Sequence, residues 1–310
     1  MFGYRPDGRP VPEYVDPIVQ FTPFIMTTRN DAQNFVTFPV EYKPMADYIR
    51  AHRDAEEPIS FMTILIAAYV RAVRKHPELN RFVVGKRLYA HKDISISYMV
   101  LRETSDGRLD EAAIKLHLEP TDTIFDVARK LNEQIRIARK PQNKNGTVDF
   151  ARRFLKIPII PWLLVSFIKL LDRFGLMPGK IIEVSPFHCS LFVTNMMSIN
   201  LPSIYHHLYN FGTCSQFVSI GSVERGVALD AKGNVVRKRL LPLGVVCDER
   251  ICEGAMYAKM LSIMGRLLNN PEQLEQPPER VLYDEGHEFH LPEPKRHRFF
   301  RKGKEESVQA

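Results

Sequence analysis

The order of strand-like and helix-like segments constrains the fold of this chain most. Runs of β-branched and aromatic residues predict strands at 33–42, 93–101, 189–195, 215–223 and 241–247. Helical periodicity predicts helices over 58–80, where the helix must stop before Pro77, and over 121–140 and 255–268. The strands of the second half lie too close together for a crossover helix between each pair. The sequence therefore predicts an α/β fold in which helices flank a mixed sheet.

The helix pattern over 121–140 is the clearest amphipathic one in the chain. Thr121 or Asp122 is expected to be its N-cap residue. Its apolar residues recur at helical spacing on one face, and its other face is charged. We expect this helix to lie on the sheet with its apolar face inward.

Composition and cysteine usage favour a globular, intracellular protein. The chain has 310 residues, 45% of them hydrophobic, which is enough to bury a large core and excludes disordered and fibrous classes. Its four cysteines include no C-x-x-C pair and are expected to be reduced thiols. The first ten residues lack the apolar core of a secretory signal. We expect a cytoplasmic protein with one domain over 1–280.

The net charge of +7 is concentrated near the carboxyl end. Residues 295–310 hold six Lys or Arg against two Glu, so they supply +4 and residues 1–294 supply +3. We predict that 281–310 form a basic, disordered tail, which could also touch anionic lipid or RNA. Because the body is nearly balanced in charge, no specific nucleic-acid binding is predicted.

Residues 151–180 fit this fold least. Their longest uncharged stretch, 157–168, has twelve residues, whereas a bilayer-spanning helix needs about twenty, and Pro158 and Pro161 are expected to interrupt it. Three roles remain open: a helical insertion docked on its own body, a lid over an acyl-binding channel, or an interfacial patch. In the last case the lipid phosphates would meet Arg152, Arg153, Lys156 and Lys169.

Most short motifs of catalysis are missing. The sequence contains no G-x-x-x-x-G-K loop, no G-x-G-x-x-G after a strand and no G-x-S-x-G elbow, which argues against nucleotide and serine hydrolysis. His206 and His207 are adjacent in sequence, and on a strand they would point to opposite faces. Since no third ligand is in view, no metal site is predicted.

Four blocks of the sequence carry a resemblance to a known family. They read "FMTILIAAYVRAVRKHPELNRF", "ISISYMV", "SLFVTNMMSI" and "RKRLLPLGVVCDERICEGAMYAKMLSIMGRLLNNPEQL". In order and spacing they resemble the catalytic domain of the dihydrolipoamide acyltransferases, relatives of chloramphenicol acetyltransferase, over roughly residues 20 to 275. The last block is the most specific, because the family has D-H-R-x-x-D-G there. Asp248, Arg250 and Gly254 match that motif.

The resemblance implies a chloramphenicol acetyltransferase-like two-layer α/β sandwich that assembles as a homotrimer. Each active site would lie in a channel between subunits, with coenzyme A or its acyl thioester as substrate and no metal. In the family, the histidine of D-H-R accepts the proton of the attacking thiol. A Ser or Thr hydroxyl of the neighbouring subunit stabilises the oxyanion, and Thr194 corresponds to it, with Ser198 as the alternative. The residues that would hold the coenzyme phosphates are not identified.

The sequence departs from the family at the base. Glu249 stands where the family has its histidine, and Glu253 where it has a supporting aspartate. A glutamate of ordinary pKa is a weaker base than histidine by about 2 units, which costs about 3 kcal/mol, and burial beside Glu253 would reduce that cost. His188 is a possible alternative base.

Two functions remain open at this point. In the first, the protein is an acyltransferase with Glu249 as base, Thr194 as oxyanion donor, and Arg250 and Glu253 holding the geometry. In the second, Arg250 and the two glutamates form a salt-bridged network in an inactive relative. That relative would bind coenzyme A or scaffold a partner, with a peripheral membrane contact through 151–180 and the basic tail.

Overall fold

The computed structural model describes residues 5–11, 16–103, 109–139, 159–229 and 232–284. Ten strands occur in these ranges: β1 Gly8–Pro10, β2 Gln33–Glu41, β3 Arg81–Val84, β4 Arg87–His91, β5 Ile94–Glu103, β6 Leu109–Leu118, β7 Leu191–Asn195, β8 Gln216–Ile220, β9 Glu224–Leu229 and β10 Val235–Asp248. The α-helices are α1 Pro17–Ile25, α2 Tyr42–Ala51, α3 Phe61–Lys75, α4 Ile124–Arg139, α5 Ile159–Arg173, α6 Gly179–Val184 and α7 Gly254–Asn269.

The main sheet is mixed, as the sequence predicted. Its strands follow the order β2-β10-β8-β7-β5-β6, and β9 pairs with the first part of β10. The neighbours β5 and β7, and β7 and β8, run parallel, while the other pairs run antiparallel. A separate small sheet has the order β1-β4-β3. The three central parallel strands therefore end at the same edge of the main sheet.

The helices on one face of the main sheet bury the larger core. Helix α3 is the most buried of them and contacts α4 and α7. It begins with a reciprocal capping box between Ser60 and Thr63 and ends at Lys75, before Pro77, as predicted. Together with the sheet, these helices form the two expected layers.

The prediction of the α4 N-cap was wrong by one or two residues. The cap is Thr123, whose hydroxyl oxygen accepts from the backbone N–H of Asp126 at 3.3 Å, while the Asp126 carboxylate accepts from the backbone N–H of Thr123 at 3.1 Å. Asp122 instead accepts from the Lys130 ammonium at 2.6 Å. The sequence offered three consecutive capping residues, and only the reciprocal contact with Asp126 distinguishes them.

The other face of the sheet is covered by irregular chain and by the short helix α6, whose Ile182 carbonyl and Glu183 carboxylate contact Lys115 and His117 of β6. A second, smaller apolar cluster lies there, formed by Cys189, Phe192, Leu208, Cys214, Phe217 and Val246. The segment 200–215 covers it, since Leu208 and Cys214 belong to that segment. The hydroxyl group of Ser219 on β8 fixes this cover by accepting from the backbone N–H of Ile204 at 3.0 Å.

Helix α5 shows that one proline prediction was wrong. Pro161 does not interrupt the helix, because it lies in the first turn, where a backbone N–H has no partner within the helix. Residues 151–158, with Arg152, Arg153, Lys156 and Pro158, lie outside the described residues. None of the helices in the described ranges combines the length and apolar character needed to cross a bilayer.

The ordered body continues slightly past residue 280. Arg81 donates two hydrogen bonds of 2.9 Å to the carboxylate of Asp284, and the backbone N–H of Leu282 donates to the carbonyl of Arg74 at 2.9 Å. The rest of the predicted basic tail, from residue 285, lies outside the described residues.

Candidate active site

The carboxyl end of β10 carries a buried charged cluster built on Asp248. This aspartate is fully buried and accepts two hydrogen bonds from the Arg250 guanidinium, at 2.8 Å and 2.7 Å. Arg29, which is also buried, donates to the same carboxylate at 3.2 Å. Tyr257 on α7 donates from its hydroxyl group to the backbone carbonyl of Asp248 at 2.6 Å. The cluster fixes the turn between β10 and α7, since each buried charge has a partner.

Glu249 lies between these two buried residues at the edge of the sheet. Its backbone N–H donates to the carbonyl of Ala32 at 2.9 Å. Its carboxylate accepts a 2.7 Å hydrogen bond from the side-chain amide of Asn34 on β2. The Glu249 side chain is therefore oriented by the edge strand, and it remains half-buried.

The prediction that Arg250 forms a network with Glu249 and Glu253 is wrong within one chain. The guanidinium of Arg250 contacts Asp248 and the carbonyl of Met26, and Glu253 is exposed at the start of α7. Glu249 is therefore not buried beside Glu253 in one chain. Gly254 follows, and a Cβ atom added there would meet nothing within 4 Å. The space next to this motif glycine is open.

Thr194 lies at the other end of the sheet. On β7 it stands opposite Ser219, near the end of β8, whereas Cys247 on β10 stands opposite Gln216, where β8 begins. Because β10 runs antiparallel to β8, its carboxyl end and that of β7 point in opposite directions. The structure therefore does not bring Glu249 and Thr194 together within one chain.

A cavity of about 720 Å³ opens where β5 and β7 end. Thr194, Asn195 and Ser198 line it, and so do Val100 and Leu101 at the end of β5. The carboxyl ends of parallel strands are where open sheets of this kind bind ligands. Much of the remaining wall is apolar, including Met62, Met99, Phe187, Phe192, Ile204 and Phe217. Both candidate hydroxyl groups thus belong to one pocket of ligand size.

Two polar atoms of this wall differ in their hydrogen bonding. The hydroxyl group of Ser198 donates to the carbonyl of Asn195 at 2.7 Å and is already used. The Thr194 hydroxyl makes only a 3.6 Å contact to the sulfur of Met196, a weak acceptor. Within the described part of the chain, the buried side-chain oxygen of Asn195 has no hydrogen-bond partner. Of the two candidate hydroxyl groups, that of Thr194 is therefore the less engaged, and Asn195 offers an unused acceptor within the described residues.

His206 also lines this cavity, which the sequence did not reveal. The segment around His206 and His207 is irregular chain and not a strand. The His206 ring stacks on Phe217 with centroids 4.5 Å apart. Burial and the neighbouring His207 lower the pKa of His206, while Glu111 acts in the opposite direction. A neutral imidazole therefore faces the same cavity as Thr194. In the sequence, His206 lies in an aromatic run that resembles a strand. Its position at the cavity is explained only by the way 200–215 covers the sheet.

His188 holds a structural position instead of a catalytic one. Its side chain is fully buried, with one ring nitrogen 3.3 Å from the Asp172 carboxylate and the other 2.8 Å from the Ser185 hydroxyl oxygen. Burial raises the pKa of Asp172, but His188 and Arg5 more than offset this and lower it to about 2. The His188 ring is enclosed by these partners. His206, which lines the cavity, therefore replaces His188 as a candidate base.

The remaining candidates give no further site. All four cysteines are free and buried, and burial raises the pKa of Cys252 to about 12. Among the residues that the structure describes, no group of three or more His, Cys, Asp or Glu side chains could hold a metal ion.

The fold of this chain matches solved structures, although sequence comparison with family models and curated proteins gives no match. The cubic core of a pyruvate dehydrogenase multienzyme complex matches with a TM-score of 0.54 and 14% identity, over 83% of this chain and 88% of that one. A probable dihydrolipoamide acetyltransferase from Listeria monocytogenes matches with 0.52 and 13%, over 87% and 97%. The dihydrolipoamide acetyltransferase of Azotobacter vinelandii matches with 0.53 and 12%, over 83% and 88%. The chain therefore has the fold of these acyltransferase cores, as its sequence blocks predicted.

Proposed function

We propose that this protein is an acyltransferase that moves an acyl group between coenzyme A and a nucleophilic acceptor, such as a thiol. The observation that carries the proposal is the Thr194 hydroxyl group at the carboxyl end of β7, on the wall of a largely apolar cavity. An acyl carbonyl bound there would have a hydroxyl donor for its developing oxyanion. The apolar wall would bury the acyl chain.

The unused acceptor in the cavity supports a ligand with amide groups. The Asn195 side-chain oxygen is buried and unpaired within the described residues, which costs free energy unless a ligand supplies a donor. The pantetheine arm of coenzyme A carries amide N–H groups that can donate to it. Nothing in the described residues identifies the phosphate-binding side chains.

We propose further that a neighbouring copy completes each site in a homotrimer. Glu249 and Thr194 lie at opposite ends of the sheet in one chain, so they can share an active site only across two chains. The core of a pyruvate dehydrogenase complex, which shares this fold, is itself an assembly with cubic symmetry. A closed ring of three copies would place each Glu249 beside the next copy's cavity.

Glu249 is the base favoured by its position in the motif. The Azotobacter vinelandii structure addresses a serine, a histidine and an asparagine in that enzyme's catalytic mechanism, and the asparagine follows the histidine by four residues. Glu249 and Glu253 have the same spacing. In this arrangement, the Glu249 carboxylate takes the proton of the acceptor thiol, and the thiolate attacks the acyl carbonyl. The intermediate then expels the thiolate of coenzyme A, which takes the proton back.

His206 offers a second base for the same reaction. It shares the cavity with Thr194 in one chain, and its imidazole has a lowered pKa. It would accept the same proton without a neighbouring copy. The two bases therefore predict opposite effects of single substitutions on turnover.

The first experiment is calorimetric titration with coenzyme A and with acetyl-coenzyme A, which requires no knowledge of the acceptor. We expect binding in the micromolar range. The proposal would be abandoned if neither ligand bound at millimolar concentration. Binding without turnover on any acceptor would favour the inactive, coenzyme-binding relative.

The second experiment compares Glu249→Gln with His206→Asn once an acceptor has been found. If Glu249 is the base, Glu249→Gln abolishes turnover while His206→Asn retains it, and the reverse holds for His206. Coenzyme A affinity is the control, because neither substitution should change it much. Full turnover in both variants would remove both residues from the mechanism.

A further inference from the structure

Helix α5 exposes an apolar face to solvent. Trp162, Leu163, Val165, Phe167 and Leu170 are each between 49% and 66% exposed. The opposite side of the helix lies nearer the body, with Ile160, Pro161, Ile168 and Leu171 half-buried and Asp172 buried. A helix on a protein surface normally turns its polar face outward. Helix α5 is instead apolar on both sides, and its one acidic residue, Asp172, faces inward.

The carboxyl end of α5 is firmly anchored. The Arg5 guanidinium donates to the Asp172 carboxylate at 2.6 Å and to the Asp172 backbone carbonyl. On the other side of this carboxylate lies His188, whose ring nitrogen is 3.3 Å away. These buried partners fix α5 to the body while its outward side chains stay uncovered in the described structure.

Helix α1 presents a second exposed apolar face. Ile18, Phe21, Phe24 and Ile25 are between 54% and 76% exposed, and only Val19 and Pro23 of this helix are buried. Its sequence, PIVQFTPFI, contains no charged residue. The Asp16 carboxylate caps it by accepting from the backbone N–H of Ile18 at 2.7 Å.

The tight turn between β3 and β4 connects these two faces. The ammonium nitrogen of Lys86 lies 5.5 Å from the ring centre of Phe24 on α1. Gly85, with a φ of 59°, packs against the end of α5, where an added Cβ atom would lie 3.5 Å from the carbonyl oxygen of Arg173. We call the outward side chains of α1 and α5, with this turn, the apolar surface.

Apart from the exposed Asp16 carboxylate that caps α1, the charges of the apolar surface have one sign. The exposed ionised side chains of α1, α5 and the 85–87 turn are Lys86, Arg87, Lys169 and Arg173. Basic residues around exposed Trp, Phe and Leu side chains are typical of segments that lie in the headgroup region of an anionic bilayer. Two copies meeting through this surface would instead bring like charges together. At 15 residues α5 is about 22 Å long, too short to cross a bilayer but long enough to lie in its surface.

We infer that the apolar surface docks this protein on an anionic lipid bilayer, with α1 and α5 in the interface and Lys86, Arg87, Lys169 and Arg173 among the headgroups. The inference is independent of acyl transfer. It adds a location for the protein's chemistry and requires neither coenzyme A binding nor turnover.

The chain carries its own probe of this docking. Trp162 lies on the apolar surface and is the only tryptophan in the sequence. Titrating the full chain with vesicles of phosphatidylcholine and phosphatidylglycerol should shift its fluorescence to shorter wavelength, and lipids brominated on the acyl chain should quench it. Pure phosphatidylcholine vesicles should bind more weakly, since they lack the negative surface potential.

Two variants and one control test the surface itself. Leu163→Gln with Phe167→Gln should reduce partitioning into anionic vesicles by at least tenfold. Lys86→Gln with Arg173→Gln should reduce it by about fivefold per charge removed, and should leave the weak binding to neutral vesicles unchanged. The matched control is Val227→Gln with Val235→Gln, because these residues are 72% and 70% exposed on the β9–β10 pair, apart from the apolar surface. The fraction of this control variant that floats with anionic vesicles should equal that of the natural protein.

Three results would overturn the inference. One is the absence of a fluorescence shift and of flotation at low salt, which would mean that another part of the chain covers the surface. Another is equal flotation of the Leu163→Gln, Phe167→Gln variant, which would assign binding to the basic tail. The third is a lipid-free, concentration-dependent fluorescence shift that this variant abolishes, because a second copy would then be the occupant.

Discussion

At the residue scale, Asp248 joins parts of the chain that are far apart in sequence. Its carboxylate accepts hydrogen bonds from Arg250, two residues away, and from Arg29, near the start of the chain. Both arginines are buried, so neither can be solvated if the carboxylate is removed. The cluster is therefore more important for stability than for chemistry.

Asp248→Asn should destabilise the protein by about 3 to 5 kcal/mol, because it leaves two buried guanidinium groups without a counter-charge. Urea unfolding measures this loss. Glu249→Gln is the matched control, since it changes the next residue, which is half-buried and keeps an acceptor for Asn34. We expect the control to lie within about 0.5 kcal/mol of the natural sequence. Equal effects would show that Asp248 is not the buried partner described here.

Thr194→Val should lower kcat by about 10² to 10³, the usual cost of removing one oxyanion donor. Thr194→Ser keeps the hydroxyl group and should retain most of the activity. The affinity for coenzyme A should be similar in both variants, because the hydroxyl acts on the reacting carbonyl. A fall in affinity with no change in kcat would give Thr194 a binding role instead.

Individual site residues could be predicted only where a motif marks them. Asp248, Arg250 and Thr194 were predicted in this way, and the structure places the first two in one buried ion pair. Arg29 and Asn34 could not be found, because their contacts with Asp248 and Glu249 span more than 200 residues. His206 was noticed in the sequence but not linked to Thr194, since nothing local indicates that 200–215 folds over the sheet.

At the scale of the elements, two glycines allow the segment that covers the cavity to lie close to the sheet. A Cβ atom on Gly244 of β10 would overlap the carbonyl oxygen of Ile204, and one on Gly221 would overlap the backbone of Ser203. The segment 200–215 thus lies directly against the backbone of the sheet at these two places. Ile204 and His206 of this segment line the cavity.

Gly244→Ala should push this segment off the sheet. We expect a loss of about 1 to 3 kcal/mol in unfolding free energy and weaker binding of any cavity ligand. Gly254→Ala is the control for stability, because no atom lies within 4 Å of the added methyl group. Thermal unfolding of both variants, with a ligand titration of the first, tests the contact. A Gly244→Ala protein as stable as the control would contradict it.

The cavity also predicts a preference for longer acyl groups. Its largely apolar wall should raise the affinity for acyl-coenzyme A by about three- to fourfold per methylene until the space is filled. Titrations from acetyl to dodecanoyl would measure this slope. Ala113→Trp, at an exposed lining position on β6, should flatten the slope without abolishing acetyl-coenzyme A binding. A flat series in the natural protein would mean that the acyl chain binds elsewhere.

Elements with a strong hydrophobic pattern were predicted well. Strands that depend on pairing with a neighbouring strand were missed. The strands at 33–42 and 93–101 and the helix that ends before Pro77 match β2, β5 and α3. Strand β6 was missed because "LDEAAIKLHL" is rich in residues that favour helices, and its register with β5 makes it a strand. The short strands β3 and β4 likewise depend on the turn at Gly85 and Lys86.

At the scale of the whole molecule, two buried groups, His91 and Asp172, should each make the fold less stable in acid, over different pH ranges. Burial lowers the pKa of His91 to about 4, although Asp7 and Asp93 act against this. Its stabilising contribution is thus complete above about pH 6.5 and is lost as the pH falls towards 4. The depressed pKa of Asp172, about 2, gives a contribution that is present above about pH 4 and lost below it.

Between pH 7 and pH 5 the protein should therefore lose about 2 kcal/mol through His91. His117 opposes this, because the hydrogen bond that its imidazole donates to Asp93 raises its pKa, and its contribution grows as the pH falls. His91→Gln should flatten the dependence of unfolding free energy on pH in this range and leave the loss below pH 4 intact. An unchanged slope would show that His91 is not responsible.

The proposed sharing of sites between copies has a direct test. Glu249→Gln and Thr194→Val chains should each be inactive, yet a mixture refolded together should regain activity. In randomly mixed trimers about a quarter of the sites would combine an intact Glu249 with an intact Thr194. Sedimentation should report three copies of the 35.8 kDa chain. If the mixture stays inactive, the site lies within one chain, as the His206 arrangement requires.

The strand order of the main sheet also has a consequence for biosynthesis. Among the strands that the structure describes, β2 pairs with β10 alone in this sheet, and β10 lies between β2 and β8. A ribosome releases β2 early, but its partner emerges only after residue 248. Until then the β2 edge, with Phe35 and Val36 outward, has no strand to join, and such edges recruit other chains. The nascent chain should therefore depend on chaperones late in translation, and slower synthesis at low temperature should raise the soluble yield.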